Sequence, residues 1–292
     1  MSFNRKCVVD FMAQERPTVA QFTQLKRLEG IDVKFNIDLP MSAIICDADI
    51  SLCNLTRSDI DYLTSFTNVA ESLQKRHRIR LYAGYDDSNY GMIFDGDVFY
   101  AVPTAPPDIW LNIKARSGNY ETTQVFTQSV LLPSTTQSIF EHAAQNLGKE
   151  FEWRSASKKV VKKWSFTGNI DKYLQSLSGL DDTYIFIEND KLIAVDKVAP
   201  VRDGIVRLIS EKTGMIGVPK IDFVGIEATL LLDTRIRRGD TVKMESVRVP
   251  SANGVYYVYN ITHTGHLRGN DFFTTVKARR EDTYGHQPLA VV

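Results

Sequence analysis

Cysteine is scarce. Cys7, Cys46 and Cys53 are the only three in 292 residues, an odd count that builds no disulfide framework. No C-x-x-C pair occurs, so no cysteine-rich zinc site is signalled. Net charge is absent too: 35 Lys and Arg stand against 35 Asp and Glu. A free nucleic-acid-binding domain carries a basic excess, so this balance argues against nucleic-acid affinity as the main task. Neutrality also removes long-range repulsion between copies, which suits self-assembly. No run of about 18 apolar residues exists, so no membrane-spanning helix and no membrane binding are expected. The first six residues carry charge with no apolar stretch behind them, which predicts a chain without a secretory leader, made in a reducing cytoplasm. The Asn54 and Asn260 glycosylation patterns are then expected to be chance.

Catalytic signatures are missing as well. The sequence has no G-x-S-x-G, no H-E-x-x-H, no G-x-x-x-x-G-K-[ST] and no G-x-G-x-x-G. His263 and His266 are the tempting metal pair, but their flanks alternate as a strand, where a spacing of three puts them on opposite faces. Gly265 between them is expected to mark a bulge or bend. Carboxylate pairs occur at Asp86-Asp87, Asp95/Asp97 and Asp181-Asp182, each beside turn-forming residues, and are read as turn chemistry. The basic run Lys158–Lys163 reads as a solvated strand face, and Arg235–Arg238 as a charged rim. No catalytic residue, metal site or cofactor is predicted, and the chain is not expected to be an enzyme.

What is present is strand alternation. Apolar 43% and aromatic 10% suffice for a packed core, and the length predicts about two domains. Ile31, Val33, Phe35 and Ile37 alternate with polar residues, and further strands are read near 44–52, 78–83, 92–102 and 109–116. Thr56 with Asp59 predicts a helix start, running to about Phe66. The middle differs: helices are predicted after Pro133 and after Asn169, strands at 151–153 and 160–166, and a hairpin across Asn189-Asp190. A last β region holds strands near 227–232, 241–249, 255–262 and 271–279.

The two β regions look duplicated. At a spacing of 163, Ile79–Leu81 answers Val242–Met244, Gly91–Phe94 answers Gly254–Tyr257, and Asp108–Arg116 answers Asp271–Arg279. Ala48–Leu52 answers Ala228–Leu232 at 180, the difference being assigned to the helix after Thr56. The reading is a mainly β chain with an α/β insert: residues 1–119, a first barrel with an inserted helix; 120–199, the insert; 200–281, a second barrel; 282–292, a flexible tail.

Specific stretches then carry a likeness: Thr213–Pro219, Gly225-Ile226 through Leu232, Arg238–Val242, Asn253–Tyr256 and His263–Phe272, with Ala48–Thr56 and Arg78–Tyr85 in the front half. Over residues 5–280 the sequence resembles phage tail baseplate hub proteins of the late-control protein D type and, more distantly, the base of type VI secretion spikes. An Asp-Thr pair often precedes the Arg-Gly of that pattern; His266-Leu267 stands here, so no role of that acid carries over. The resemblance implies two tail-tube-like β-barrels per chain flanking a small α/β region, and a homotrimeric ring adapting a six-fold tail tube to a three-fold spike. It implies a place in the virion's tail baseplate after assembly in the host cytoplasm. Its partners would be further copies of itself, a tail tube or distal tube protein and a central spike protein, with baseplate wedge and tape-measure proteins as further neighbours and DNA only in transit. A cell-wall-degrading tail hydrolase and a nucleic-acid-binding barrel protein are the alternatives. Candidate interface residues are Thr275, Lys277 and Arg279, outside the apolar row of the last strand, with Tyr256 from the tyrosine stripe and Arg268.

Overall fold

A computed structural model describes the chain except residues 1–3, 15–22, 42–44, 65–75, 86–88, 118–124, 198–205 and 281–292. The first region holds β1 (Arg5–Gln14), β2 (Thr23–Glu29), β3 (Asp32–Pro40), β4 (Asp47–Cys53), α1 (Arg57–Thr64), β5 (Arg76–Tyr85), β6 (Gly91–Pro103) and β7 (Trp110–Arg116). The middle holds β8 (Phe126–Val130), β9 (Ser134–Thr135), α2 (Thr136–Asn146), β10 (Glu150–Arg154), β11 (Val160–Val161), β12 (Trp164–Gly168), α3 (Ile170–Leu180), β13 (Thr183–Glu188) and β14 (Lys191–Asp196). The last region holds β15 (Arg207–Ser210), β16 (Met215–Ile221), β17 (Gly225–Leu231), β18 (Thr241–Glu245), β19 (Gly254–His266) and β20 (Phe272–Arg280). The protein is mainly β.

Helix starts follow local chemistry. Thr56 Oγ1 accepts from the Asp59 amide at 3.2 Å while the Asp59 carboxylate accepts from the Thr56 amide at 3.2 Å. Thr135 and Asn169 cap α2 and α3 by accepting from Ser138 and Lys172 amides. Gly148, at φ +64°, follows α2 where the left-handed region ends a helix. The predicted end of α1 near Phe66 falls outside the described residues.

The first and last regions share one long sheet, ordered β16-β17-β20-β19-β3-β4-β7-β6-β5-β1-β2, with β18 on β19 and β15 on β18. Its pairing repeats. In the first half β1, β5, β6, β7, β4 and β3 are successive neighbours; in the second, β15, β18, β19, β20, β17 and β16 are. The outermost pair differs in direction, β1 being antiparallel to β5 and β15 parallel to β18. Val98 opposite Ala115 and Val258 opposite Ala278 stand in equivalent places, each followed by a bulge, at Phe99 and at Tyr259.

Register corrects the spacing. Ile79 and Val242, like Ala115 and Ala278, are 163 apart, but Val98 and Val258 are 160 apart. Compensating length changes in two hairpin connections made the repeat look gapless. Gly254, opposite Met244, therefore matches Phe94, opposite Leu81, and not Gly91. Ala48 and Ile226 share a place opposite Ala115 and Ala278, a spacing of 178 instead of 180. The shift of two keeps each side chain on its face, which is why alternation alone did not detect it. The first half's extra residues lie between β4 and β5, where α1 sits.

The repeated halves share a continuous core from Val9, Phe35, Ile50 and Leu111 to Leu230, Met244, Ile261 and Phe272. The middle region has its own core, where Phe140, Tyr173, Leu174 and Leu177 from α2 and α3 meet Ile185 and Leu192. Burying each such side chain contributes about 1.5–3 kcal/mol. The predicted strand 160–166 is two strands, β11 against β9 and β12 against β8. A third cluster of Met41, Phe186, Ile193 and Val195, with Tyr184 and Tyr259, joins the middle region to the long sheet.

Candidate functional site

Alternation gives the long sheet one apolar face, turned to the core, and one polar face. From β17 to β7 the polar face carries Glu227 and Thr229, then Thr275 and Lys277, Thr262 and Thr264, Lys34, Asn36 and Asp38, Asp47, Asp49 and Ser51, and Asn112, Lys114 and Arg116. These are cross-strand neighbours, so their polar atoms can meet. The hydroxyl of Thr262 donates to Asp38 at 2.9 Å, that of Thr264 to Asn36 at 3.1 Å and that of Ser51 to Asn112 at 2.8 Å; the Thr229 and Thr275 hydroxyls lie 3.3 Å apart. Arg116 grips Asp47 with two bonds of 2.6 and 3.0 Å. Lys114 lies 3.6 Å from Asp49, and Glu227 takes Lys277 at 3.5 Å and Lys220 at 2.7 Å, which holds its carboxyl below the ordinary range. The Lys34 ammonium sits 3.9 Å over the Trp110 ring. The face is polar, spans six strands and pairs most of its charges internally.

Two of the five candidate interface residues stand on this face. Thr275 lies mid-sheet between Thr229 and Thr262, and Lys277 pairs with Glu227. Arg268 is exposed in the β19–β20 turn, its guanidinium donating to the Gly30 carbonyl at 3.2 Å. The other two are corrected. Tyr256 is 1% exposed and donates its hydroxyl to the Ala252 carbonyl at 2.8 Å, because its position before the Tyr259 bulge turns it to the core. Arg279 is 6% exposed, covered by the middle region through the Lys197 carbonyl at 3.2 Å and the Tyr184 ring.

Other readings change in the same way. Gly265 makes no bulge: pairing with β3 runs unbroken from Asn260 to His266, and a Cβ at 265 would lie on the Phe35 ring. His263 does face the core and His266 the other side, where its Nε2 lies 3.0 Å from Asp32. Asp95 and Asp97 are buried in β6, not in a turn, and Asp95 is bound by Arg78 and Arg80. Asp181-Asp182 is a turn, as expected, and Asp86-Asp87 lies outside the described residues. The Lys158–Lys163 lysines are exposed.

Sequence reading missed the ties that hold the middle region to the sheet. Arg238, read as rim, is fully buried. Its guanidinium meets Glu188 at 2.8 Å, the Pro40 carbonyl at 3.0 Å and Cys46 Sγ at 3.3 Å, and stacks 3.9 Å from the Phe186 ring. Asp190, at the β13–β14 turn, takes Arg78 at 3.1 Å and Lys149 at 3.0 Å. Burial pushes its carboxyl up, but the two cations outweigh this and hold it at about 2. The left-handed Asn189 and Asp190 gave the turn away in sequence; nothing gave away its partners.

Among the described residues no group of three or more His, Cys, Asp or Glu could hold a metal ion. No helix among them is long and apolar enough to cross a membrane. No curated protein matches the sequence. In fold, the chain is similar to the 43 kDa tail protein of prophage MuSo2 from Shewanella oneidensis (TM-score 0.62, 8% identity, 94% of this chain and 97% of that one). It is similar to a tail protein from Neisseria meningitidis MC58 (TM-score 0.60, 8% identity, 93% and 96%). It is also similar to the E. coli c3393 protein, described as a type VI secretion component with structural similarity to bacteriophage T4 tail proteins gp27 and gp5 (TM-score 0.56, 10% identity, 88% and 76%). Residues 16–278 match the family described as baseplate hub gp41. The chain therefore belongs to the baseplate hub gp41 family, and its place is the tail of the virion.

Proposed function

We propose that this hub works as a homotrimeric ring whose three copies present six similar sheet units, matching a six-fold tail tube on one side and a three-fold central spike on the other. The observation that carries the reading is the repeated strand order, β1-β5-β6-β7-β4-β3 and β15-β18-β19-β20-β17-β16, within one continuous sheet. In this reading residues 1–119 and 200–281 are the two tube-like units, 120–199 an α/β unit tied to them by Arg238 and Asp190, and 282–292 a tail. The polar face turns to the lumen. Its cations already hold carboxylates or an aromatic ring, so they offer little to phosphates and DNA passes without being held.

The role is structural and not hydrolytic. Asp95, bound by two arginines and buried, is closed to the two-carboxylate chemistry of a glycosidase. The purified chain is expected to clear no peptidoglycan zymogram and to bind no stoichiometric zinc. The ring is tested by mass: light scattering should give three chains. A lasting contact buries more than about 1,000 Å², so the oligomer should survive dilution. A chain that stays monomeric at high concentration, and whose copy number in assembled tails is no multiple of three, overturns the reading.

A further inference from the structure

The long sheet contains a joint between its repeated halves, built from two strand edges. β19 parts from β18 after Tyr257 and offers the freed edge to β3, from Asn260 opposite Pro40 to His266 opposite Lys34. Its counterpart β6 parts from β5 after Asp97, and residues 98–103 pair with β7 alone among the described residues. The counterpart of β3 is β16. Val33 and Lys34 lie opposite Leu52 and Ser51, as Met215 and Ile216 lie opposite Leu230 and Thr229. Asn36 and Ile37 lie opposite Asp49 and Ala48, as Lys220 and Ile221 lie opposite Glu227 and Ile226; between them β16 carries a two-residue insertion. β16 ends the sheet and pairs with β17 alone among the described residues. Each chain thus carries one closed joint and, at two separate places, the two open halves of another.

Exposure says the same. In the closed joint Ile37 is 0% exposed; its counterpart at the open edge, Ile221, is 50% exposed, and just past the strand end Phe223, in the turn that Asp222 Oδ1 closes by accepting from the Val224 and Gly225 amides, is 94% exposed. On the other open edge β6 exposes Tyr100 and Val102, on the polar face of the sheet, with Phe99 at its bulge; in the carried register Ile221 and Phe223 meet Pro103 and Ala101 on the core face. An apolar edge strand left open is a template for pairing with another chain.

We propose that β16 of one copy pairs antiparallel with the 100–104 edge of a second copy, in the register of the internal joint. Carrying that register across places Tyr100 opposite Val224, Val102 opposite Asp222 and Thr104 opposite Lys220 of the neighbouring copy. The two edges are different surfaces of the chain, so the contact is heterologous and runs head to tail until it closes. The proposal rests on the ring reading and names the surfaces that make it.

Cysteine cross-linking tests it on the full chain. Cys53, the one cysteine not buried, is first changed by Cys53→Ser. Tyr100→Cys with Val224→Cys should then give disulfide-linked dimers and trimers on mild oxidation, and neither single variant should. The off-register pair, Tyr100→Cys with Lys220→Cys, lies four residues out, roughly 13 Å, and should stay unlinked. Phe223→Asp, at a side chain exposed in the single chain, should weaken association at least tenfold with an unchanged circular-dichroism spectrum. A wild-type trimer in which the in-register pair fails to link, or the off-register pair links instead, or Phe223→Asp leaves the mass unchanged, overturns the joint while the ring stands. A wild-type chain that never exceeds monomer mass overturns both.

Discussion

Arg238 has no exposed side-chain surface, and its charge is balanced by Glu188, itself only 12% exposed. Deleting one partner of such a pair leaves the other buried and uncompensated, at about 3–5 kcal/mol. Arg238→Met should therefore lower the stability by about 3 kcal/mol in urea unfolding. Arg238→Met with Glu188→Met should recover much of that loss; equal loss in the single and double variants would refute the pairing argument. His263 makes a pH prediction. It is fully buried, 2.9 Å from the Thr274 hydroxyl, and burial pushes its imidazole from 6.5 down to about 4. The unfolded chain binds this proton below pH 6.5 and the folded chain only below about 4. Stability from this group is complete above 6.5 and falls as pH drops toward 4. At about 1.4 kcal/mol per pH unit the total is roughly 3 kcal/mol. Urea unfolding at pH 7 and pH 5 should differ by about 2 kcal/mol of that total, the part lost between 6.5 and 5, and His263→Gln should flatten the difference.

Among the elements, β3 and β19 meet where Gly265 leaves room for Phe35, whose ring also lies edge-on to Phe272 at 5.9 Å. Gly265→Ala forces that ring aside and should cost about 1–3 kcal/mol, read as a lower melting temperature. Adding Phe35→Leu should restore part of it, because the smaller side chain vacates the space. Elements with strict alternation, such as β3, β7 and β20, were legible, as were α2 and α3 from their caps and apolar spacing. β1 was not, because Cys7, Val8, Val9 and Asp10 are all buried, on both faces of the strand, so period two vanishes. β16 was hidden by Gly217-Val218-Pro219, which reads as a turn and is an insertion within the strand. The polar face was legible at Thr275 and Lys277 on β20, but its extent was not. It depends on β3 joining β19, a pairing between residues 220 to 232 apart that no local pattern encodes. Arg238 and Asp95 were misread for the same reason: a charge is buried by what packs on it, and that is known only after folding.

At the scale of the whole molecule, zero net charge and a self-paired polar face argue together. Duplex DNA is held by cations that are free to replace its counterions. On the polar face Lys114 and Lys277 lie beside carboxylates and Arg116 is doubly bonded to Asp47, while Thr229, Thr262 and Thr275 fill the stretch between them with uncharged hydroxyls. Those three threonines are neighbours on adjacent strands, and none lies on an open edge strand, Thr229 being one strand in from β16, so replacing them alters the face and leaves the pairing edges in place. Thr275→Glu should accordingly leave the oligomer mass unchanged, in contrast to Phe223→Asp at the edge. The triple variant Thr229→Lys, Thr262→Lys, Thr275→Lys should also keep its mass, but each copy now presents three added cations, of which only the one at 262 has a carboxylate, Asp38, directly opposite. Fluorescence anisotropy with a short duplex at about 50 mM salt should show no binding by the wild type and clear binding by the triple variant. The variant's affinity should fall with salt at a slope of about −0.9 for each phosphate neutralised. Salt-sensitive binding by the wild type, or none by the variant, would mean that this face does not meet DNA as a neutral lining. If the slope indicates several phosphates neutralised by one ring, the lysines of different copies face a common space, as a lumen requires.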